Sequence, residues 1–540
     1  MQEPRAPNAA ELVQSLEEYT KSQHAPDQLV QLLRPPRLAL RSTPDFRTEY
    51  GSHSAFWPAL AAVWKVEAAR LANDEQASVP AVLALAAFLL SLCMQAPQNQ
   101  IQAVDHVEPH LRTALFAASS LTNLQDPAYA DMTRTCCQAL ANLVASNETT
   151  ASRFADRLQL EEQTLLIQRL LATPDHGTMQ ALLIFLLNSI HGSRERALLL
   201  GTSKPGAAIL DRLMMLISVL FEDENPESMS TGEYTSEVFG LSFSLVQQLI
   251  HLGALAQAYE EHALMPGYSI SATLVVLLKF LDGHLSLPGQ ATSLSSVALV
   301  PFLLRQLAHL SSSLIDEGAQ RARNAADAAT FQGIVLVLHC LCSIGLALEQ
   351  EREEADADAE EEARNSMNGG IEAVARLLHF SQTLLPPPSA RPAPPPSPHA
   401  TPSTADAPVD PPTTPSAADI AAASALSPES IAAIAQLQRT AVQYLGIVTF
   451  LPPFSASSAA KSRVEEAQRR VKENGGLEVL LGLCQIDERN PTMREHALFA
   501  IRNVLKNNQA NQNYVEAMKP QYKVGNNGEL LDLPPPKRNE

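Results

Sequence analysis

A chain of 540 residues is too long for one hydrophobic core, so several domains or an extended array are expected. Apolar residues make up 46% and aromatics only 5%, with Ala and Leu dominant, which argues against a sheet protein and for an all-α one. A net charge of −19 withholds the basic footprint that phosphate recognition needs, which excludes nucleic acid as a partner of the whole chain.

The N-terminal stretch "MQEPRAPNAAELVQ" lacks the basic start and apolar core of a signal peptide. The most apolar run is "VPAVLALAAFLLSLCM", Val79 to Met94. It is shorter than the roughly 20 residues a bilayer span needs, so a helix buried in protein is expected, with no membrane span. Six cysteines, Cys93, Cys136, Cys137, Cys340, Cys342 and Cys484, sit in apolar helical stretches without a CxxC. They read as buried free thiols in a reducing, cytoplasmic setting.

Further along, "LAAFLLSLCMQAPQNQ" (Leu85–Gln100), "CCQALANLVASNETT" (Cys136–Thr150) and "LLIFLLNSIHGSRERALLL" (Leu182–Leu200) share one plan. An apolar helix is followed by polar punctuation, and two of the three carry an internal Asn, at Asn142 and Asn188. Self-similarity at roughly 40–50 residues in a helical sequence predicts an armadillo/HEAT-like superhelical solenoid, its two halves stacked as one. Residues 222–288 contain apolar helices but resist phasing into repeats. "VPFLLRQLAHL" and "GIVLVLHCLCSIGLAL" supply further buried helices before Leu348.

From Glu349 to Glu362 the chain holds nine acids and one Arg, the composition of a solvated, disordered run. Pro386 to Ser416 contains thirteen prolines, too little apolar surface to order itself. These shifts divide the chain. Residues 1–348 form N-terminal armadillo-like repeats, 349–367 an acidic disordered insertion and 368–385 a repeat helix. Residues 386–428 form a Pro/Ser/Ala-rich disordered linker, 429–526 a C-terminal repeat domain and 527–540 a disordered tail.

Catalytic and ligand-binding patterns are missing. No GxSxG, P-loop or GxGxxG is found, and His496 belongs to no HExxH. His106 and His110 are four apart with Pro109 between them, and His339 with Cys342 gives two ligands where zinc needs four. No enzyme activity, metal or cofactor is expected, and other proteins are the expected partners. The basic stretch "KSRVEEAQRRVK" (Lys461–Lys472) pairs Glu465 with Arg469 and Glu466 with Arg470 at i,i+4, as on a solvated helix face.

"NGGIEAVARLLHFSQTLL" (Asn368–Leu385) has a twin in "ENGGLEVLLGLCQ" (Glu473–Gln485), where Gly-Gly allows a sharp turn between helices. After it comes "REHALFAIRNVLKNNQANQNYV" (Arg494–Val515). At about 100° per residue, Ala497, Leu498, Ile501, Val504 and Leu505 fall on a core stripe. Glu495, Phe499, Arg502, Asn503 and Lys506 fall opposite. An aromatic four residues before an Asn is a spacing that grips extended peptides in armadillo third helices, so Phe499, Arg502 and Asn503 are candidate partner contacts. Three placements of Phe499 stay open: packed on the capping segment Asn511–Met518, in contact with a partner, or exposed. The corresponding positions before Asn142 and Asn188 are Gln138 and Ile184, so no Trp/Asn ladder of the nuclear-import kind is formed.

The stretch from about Gln436 to Asn526 resembles the C-terminal region of the ataxin-10 family. The resemblance rests on Cys484, Ile486, Asp487, Asn490, Pro491, Arg494, Glu495, His496, Ala497, Ala500, Arg502, Asn503, Leu505, Asn508, Asn511 and Gln512. It implies a cytoplasmic interaction scaffold linked to regulation of cytokinesis and to signalling, and a homo-oligomer as one form. The alternative it implies is a regulatory subunit or adaptor of an enzyme, in glycosylation or trafficking machinery.

Overall fold

The computed structural model describes residues 6–21, 25–222, 232–263, 270–321, 328–349, 357–385, 428–451, 457–485, 487, 489–518, 522–524 and 530–532. They divide into two compact units, meeting in sequence between His284 and Leu285.

Unit 1 contains helices α1 (Ala9–Lys21), α2 (Pro26–Ser42), α3 (Asp45–Ser52), α4 (Phe56–Ala72), α5 (Val79–Cys93), α6 (Pro97–His106), α7 (Glu108–Ala118), α8 (Leu121–Gln125), α9 (Pro127–Val144), α10 (Glu148–Leu158), α11 (Glu161–Leu170), α12 (His176–Ile190), α13 (Arg194–Thr202), α14 (Lys204–Glu222), α15 (Gly232–His251), α16 (Leu255–Ala263) and α17 (Ala272–Leu285). They pack in three rows. First helices run α3, α6, α10, α13, α16; second helices include α1, α4, α7 and then α11, α14; third helices run α2, α5, α9, α12, α15, each against the one before. Three helices per repeat, each row meeting its counterpart in the next repeat, is the armadillo-like solenoid.

Unit 2 continues the plan with α18 (Leu294–Val297), α19 (Val300–Arg321), α20 (Ala328–Leu348), α21 (Ala357–Met367), α22 (Ile371–Leu384), α23 (Pro428–Val448), α24 (Ser458–Glu473), α25 (Gly476–Leu483), α26 (Met493–Leu505) and α27 (Gln509–Ala517). Here α20, α23 and α26 are the consecutive third helices, and α19 packs on α22. The repeats of residues 222–288 that the sequence left unphased are α15, α16 and α17.

The apolar run at Val79 is α5, and Val82, Leu85, Phe88, Leu89 and Leu92 are fully buried in it. By length and composition three stretches among the described residues reach membrane-span quality: Gln76–Cys93, Leu294–Asp316 and Ala329–Leu348. The shares buried inside the protein are 67%, 50% and 61%, and α5 is held between α2 and α9. Third helices carry apolar residues all round because they are flanked on both sides.

Two sequence expectations change. The acidic stretch is helical from Ala357 to Met367. Ala363 and Met367 are buried, Glu360 pairs with Arg364, and Glu361 reaches both Arg364 and the buried Arg463. Glu349 pairs with Arg463 at 3.4 Å, so one nearby arginine and one about a hundred residues away hold acids that composition alone leaves solvated. A two-stranded antiparallel sheet, β1 (Tyr522–Val524) with β2 (Leu530–Asp532), stands where a helical domain and a disordered tail were expected. The Pro-rich segment 386–427 and the acidic residues 350–356 lie outside the described residues.

The twin Asn-Gly-Gly sites are built differently. Gly475 is left-handed at φ +73°, the turn that glycine permits. Asn368–Gly370 is a right-handed 3₁₀ turn. There Gly370 is required by space: a Cβ would run into the Tyr444 hydroxyl, which donates to Met367 O.

Candidate functional site

The junction from third helix to next first helix is where polar punctuation meets apolar helix. At Gln95, Ser146 and Asn507 the junction residue is left-handed although not glycine; at Gly192 and Gly253 it is glycine. Two residues before each left-handed turn the third helix ends, leaving carbonyls without helical partners. A side chain of the following helix returns to satisfy one. Asn99 donates to Leu92 O at 3.0 Å, Thr150 to Leu143 O at 2.7 Å, Arg196 to Ser189 O at 2.8 Å and Asn511 to Val504 O at 3.2 Å. In all four the separation is seven residues.

A buried glutamine closes two of these ends from the side. Gln100 Nε2 donates to Asn142 O at 2.7 Å and Ala145 O at 3.1 Å, and Gln100 Oε1 accepts from Asn147 Nδ2 at 2.8 Å. Gln468 repeats it with Asn503 O at 2.8 Å, Lys506 O at 3.0 Å and Asn508 Nδ2 at 3.0 Å. The sequence reading missed both glutamines. Their signal is a lone amide inside an apolar helical phase, which one sequence does not distinguish from a surface residue.

The internal asparagines tie neighbouring repeats together. Asn142 Nδ2 donates to Leu90 O at 2.9 Å, Asn188 Nδ2 to Ala141 O at 3.2 Å and Asn503 Nδ2 to Gly446 O at 2.9 Å. Each reaches a carbonyl in the last turn of the preceding third helix. Asn503 is only 4% exposed. It is therefore withdrawn from the candidate partner contacts: its amide is spent on α23.

Phe499 and Arg502 are exposed. Phe499 stays 51% exposed and stacks on Phe450, just beyond α23, with ring centroids 6.4 Å apart. It leans on Gly446, not on α27 as one reading had it. Leu498, expected in the core, is 49% exposed. The buried side of α26 is Met493, Ala497, Ala500, Ile501, Asn503 and Val504. The stripe is turned toward α23, where the Asn503 amide reaches Gly446 O and Ala500 is buried. A buried alanine and one amide hydrogen bond lie at the seam where the largest apolar side chains were expected.

The outward face of α26 thus carries Arg494, Leu498, Phe499, Arg502 and Lys506, with Glu495 among them. At its foot a cavity of about 110 Å³ lies between α24 and the ends of α23 and α26, lined by Thr449, Lys461, Glu465, Asn503 and Lys506 among others. A second, larger cavity of about 320 Å³ has Gln382, Gln438, Asp487, Arg489 and Met493 in its wall. There Arg489 holds the Asp487 carboxyl below its ordinary range through side-chain hydrogen bonds. In the basic stretch, Glu466 pairs with Arg470 as expected, while Arg469 pairs with Glu466 and Glu473 instead of Glu465.

Among the described residues no group of three or more His, Cys, Asp or Glu is placed to hold a metal. His339 meets Gln436 at 3.3 Å. Cys93, Cys136, Cys137 and Cys342 are buried, and burial raises each thiol above its ordinary pKa.

Residues 458–533, α24 through β2, match the family described as the spinocerebellar ataxia type 10 protein domain. The chain is similar to the ataxin-10 homolog of Dictyostelium discoideum, 44% identical over 66 residues, which is 12% of this chain and 11% of that one. It is similar to ataxin-10 of Xenopus tropicalis, 39% identical over 57 residues, 11% of this chain and 12% of that one. The matches thus span about a tenth of the length of these relatives. Among solved structures, a crystal structure of SYS-1 aligns over 93% of both chains at 11% identity, with a TM-score of 0.35. That score is below the level of a common fold, so the solenoid assignment stands on the helix packing alone.

Proposed function

We propose that this chain, which belongs to the ataxin-10 family by its C-terminal domain, is a non-enzymatic scaffold that binds other proteins in the cytoplasm and takes part in regulating cytokinesis and signalling. The observation that carries the binding reading is the outward face of α26. Bonds to main-chain carbonyls hold the helix from behind, and Leu498 and Phe499 are left half-exposed among cations in the described residues. Apolar side chains flanked by charge, on a helix fixed from behind, are the anatomy of a protein-docking patch. The role in cell division and signalling rests on the family alone.

Affinity capture with the full chain, compared with Phe499→Asp, is the test. The expected result is a set of cell-division or signalling proteins recovered by the parent chain and lost, by tenfold or so, in the variant. Recovery of an enzyme complex whose turnover this chain modulates would favour the adaptor alternative. Turnover by the isolated chain would overturn the non-enzymatic reading.

A further inference from the structure

We infer that the outward face of α26 takes an acidic peptide segment carrying an apolar anchor; this rests on the scaffold reading above and names its ligand. The argument is the charge left unspent. Arg494, Arg502, Lys506 and, across the small cavity, Lys461 are all exposed, and none is in an ion pair among the described residues. Nearby cations are committed: Arg463 to Glu349, Arg469 to Glu473, Arg470 to Glu466 and Arg489 to Asp487. Among the described residues, Glu465 and Glu495 are the carboxylates set among those four cations. In a chain of net charge −19, a net positive face is a departure that favours an anionic partner by steering and by pairing.

Geometry sets the segment's length. Arg494, Leu498, Arg502, Lys506 and Phe499 fall within an arc of about 140° at 100° per residue, so one ligand meets them all. Arg494 to Lys506 spans about 18 Å at 1.5 Å per residue, which an extended peptide covers in about six residues. One carboxylate side chain fits the cavity of about 110 Å³ where Lys461 and Lys506 converge. One apolar side chain covers the exposed faces of Leu498 and Phe499. Exposed ion pairs are individually weak, so the apolar anchor supplies affinity and the cations supply selectivity for acid.

The test uses the full chain and two fluorescein-labelled hexapeptides, one of Asp and Glu around a single Phe and Leu, the other with Lys in place of every acid. The acidic peptide is expected to bind, the Lys peptide at least about tenfold more weakly, and binding is expected to fall severalfold between 50 and 500 mM salt. Charge reversal by Arg502→Glu with Lys506→Glu, at exposed positions that leave the fold intact by circular dichroism, is expected to cost about tenfold or more. Equal binding of the two peptides, indifference to salt, or undiminished binding by the reversed variant overturns the inference. Self-association of the parent chain that disappears in the reversed variant also overturns it, because the face then meets a second copy. If neither peptide binds while Phe499→Asp still loses captured proteins, the scaffold reading stands and the acidic-ligand inference alone falls.

Discussion

Asn503 and Phe499 lie four residues apart on one helix, and the structure gives them opposite energetic roles. Replacing Asn503 by Ala removes a buried bond to Gly446 O and leaves a cavity behind it. A loss of about 1–3 kcal/mol is expected, read as a lower urea midpoint at constant slope. Phe499→Ala forfeits only the half of the ring that rests on Phe450 and Gly446, about 1 kcal/mol by area. A loss of 3 kcal/mol or more on Phe499→Ala would place that ring in the core. Histidines make unit 1 sensitive to acid. His284 is fully buried, with Nδ1 accepting from Gln247 at 3.3 Å, and burial first, then His251, lowers its pKa. Burial lowers that of His262 as well, against the pull of Asp211 and Glu261. In the unfolded chain both titrate near about 6.5. As pH drops below that value the unfolded chain takes up protons that the folded chain refuses, so stability falls with pH; above it these groups make no demand. Chemical denaturation of unit 1 between pH 7 and 5 is expected to show this slope, and His284→Gln to flatten it.

The element that repeats best is the turn between a third helix and the next first helix. Its left-handed residue is glycine in some repeats and not in others, which turns backbone strain into a measurement. Gly192 has φ +69° and open space where a Cβ would point. Gly192→Ala is therefore expected to cost about 1–2 kcal/mol of backbone strain alone. The reverse change, Ser146→Gly at φ +53°, is expected to be neutral or stabilising by up to about 1 kcal/mol. Equal effects of the two changes in urea unfolding would mean that packing, not dihedral strain, governs the turn. At α21 the controlling contact is distant. Arg463→Met is expected to leave Glu349 and Glu361 without their buried counter-charge and to raise amide exchange through 357–367. This helix was illegible in sequence for the same reason: local composition shows nine acids, while Arg463, the buried partner of Glu349 and Glu361, is far along the chain. The rotation of α26 was illegible because helical-wheel counting weighs Leu498 and takes no account of Asn503, whose amide is tied to Gly446 O of the neighbouring helix.

Across the whole molecule the all-α class and the repeat plan were readable, because Ala and Leu dominate and the Asn-rich punctuation recurs after Leu92, Val144 and Leu505. What that punctuation does was not readable: the asparagines face carbonyls of other helices, which leave no mark in the letters. In unit 2 the same plan predicts nearest-neighbour behaviour. Deleting residues 509–540 removes the bonds of Asn511 to Gln468 O and Val504 O. Amide exchange is expected to rise in α24 and α26 while α20 keeps its protection. Uniform loss across unit 2 would show one cooperative block instead. The junctions also bear on how such an array changes over time. Of the junction bonds described above, all but two between side-chain amides end on a main-chain carbonyl oxygen, which all twenty residues possess. The seams thus never inspect what the outward face displays. A repeat copied or excised between two left-handed residues would find the same oxygens waiting, so the array is free to lengthen, shorten and repaint its surface by duplication and drift.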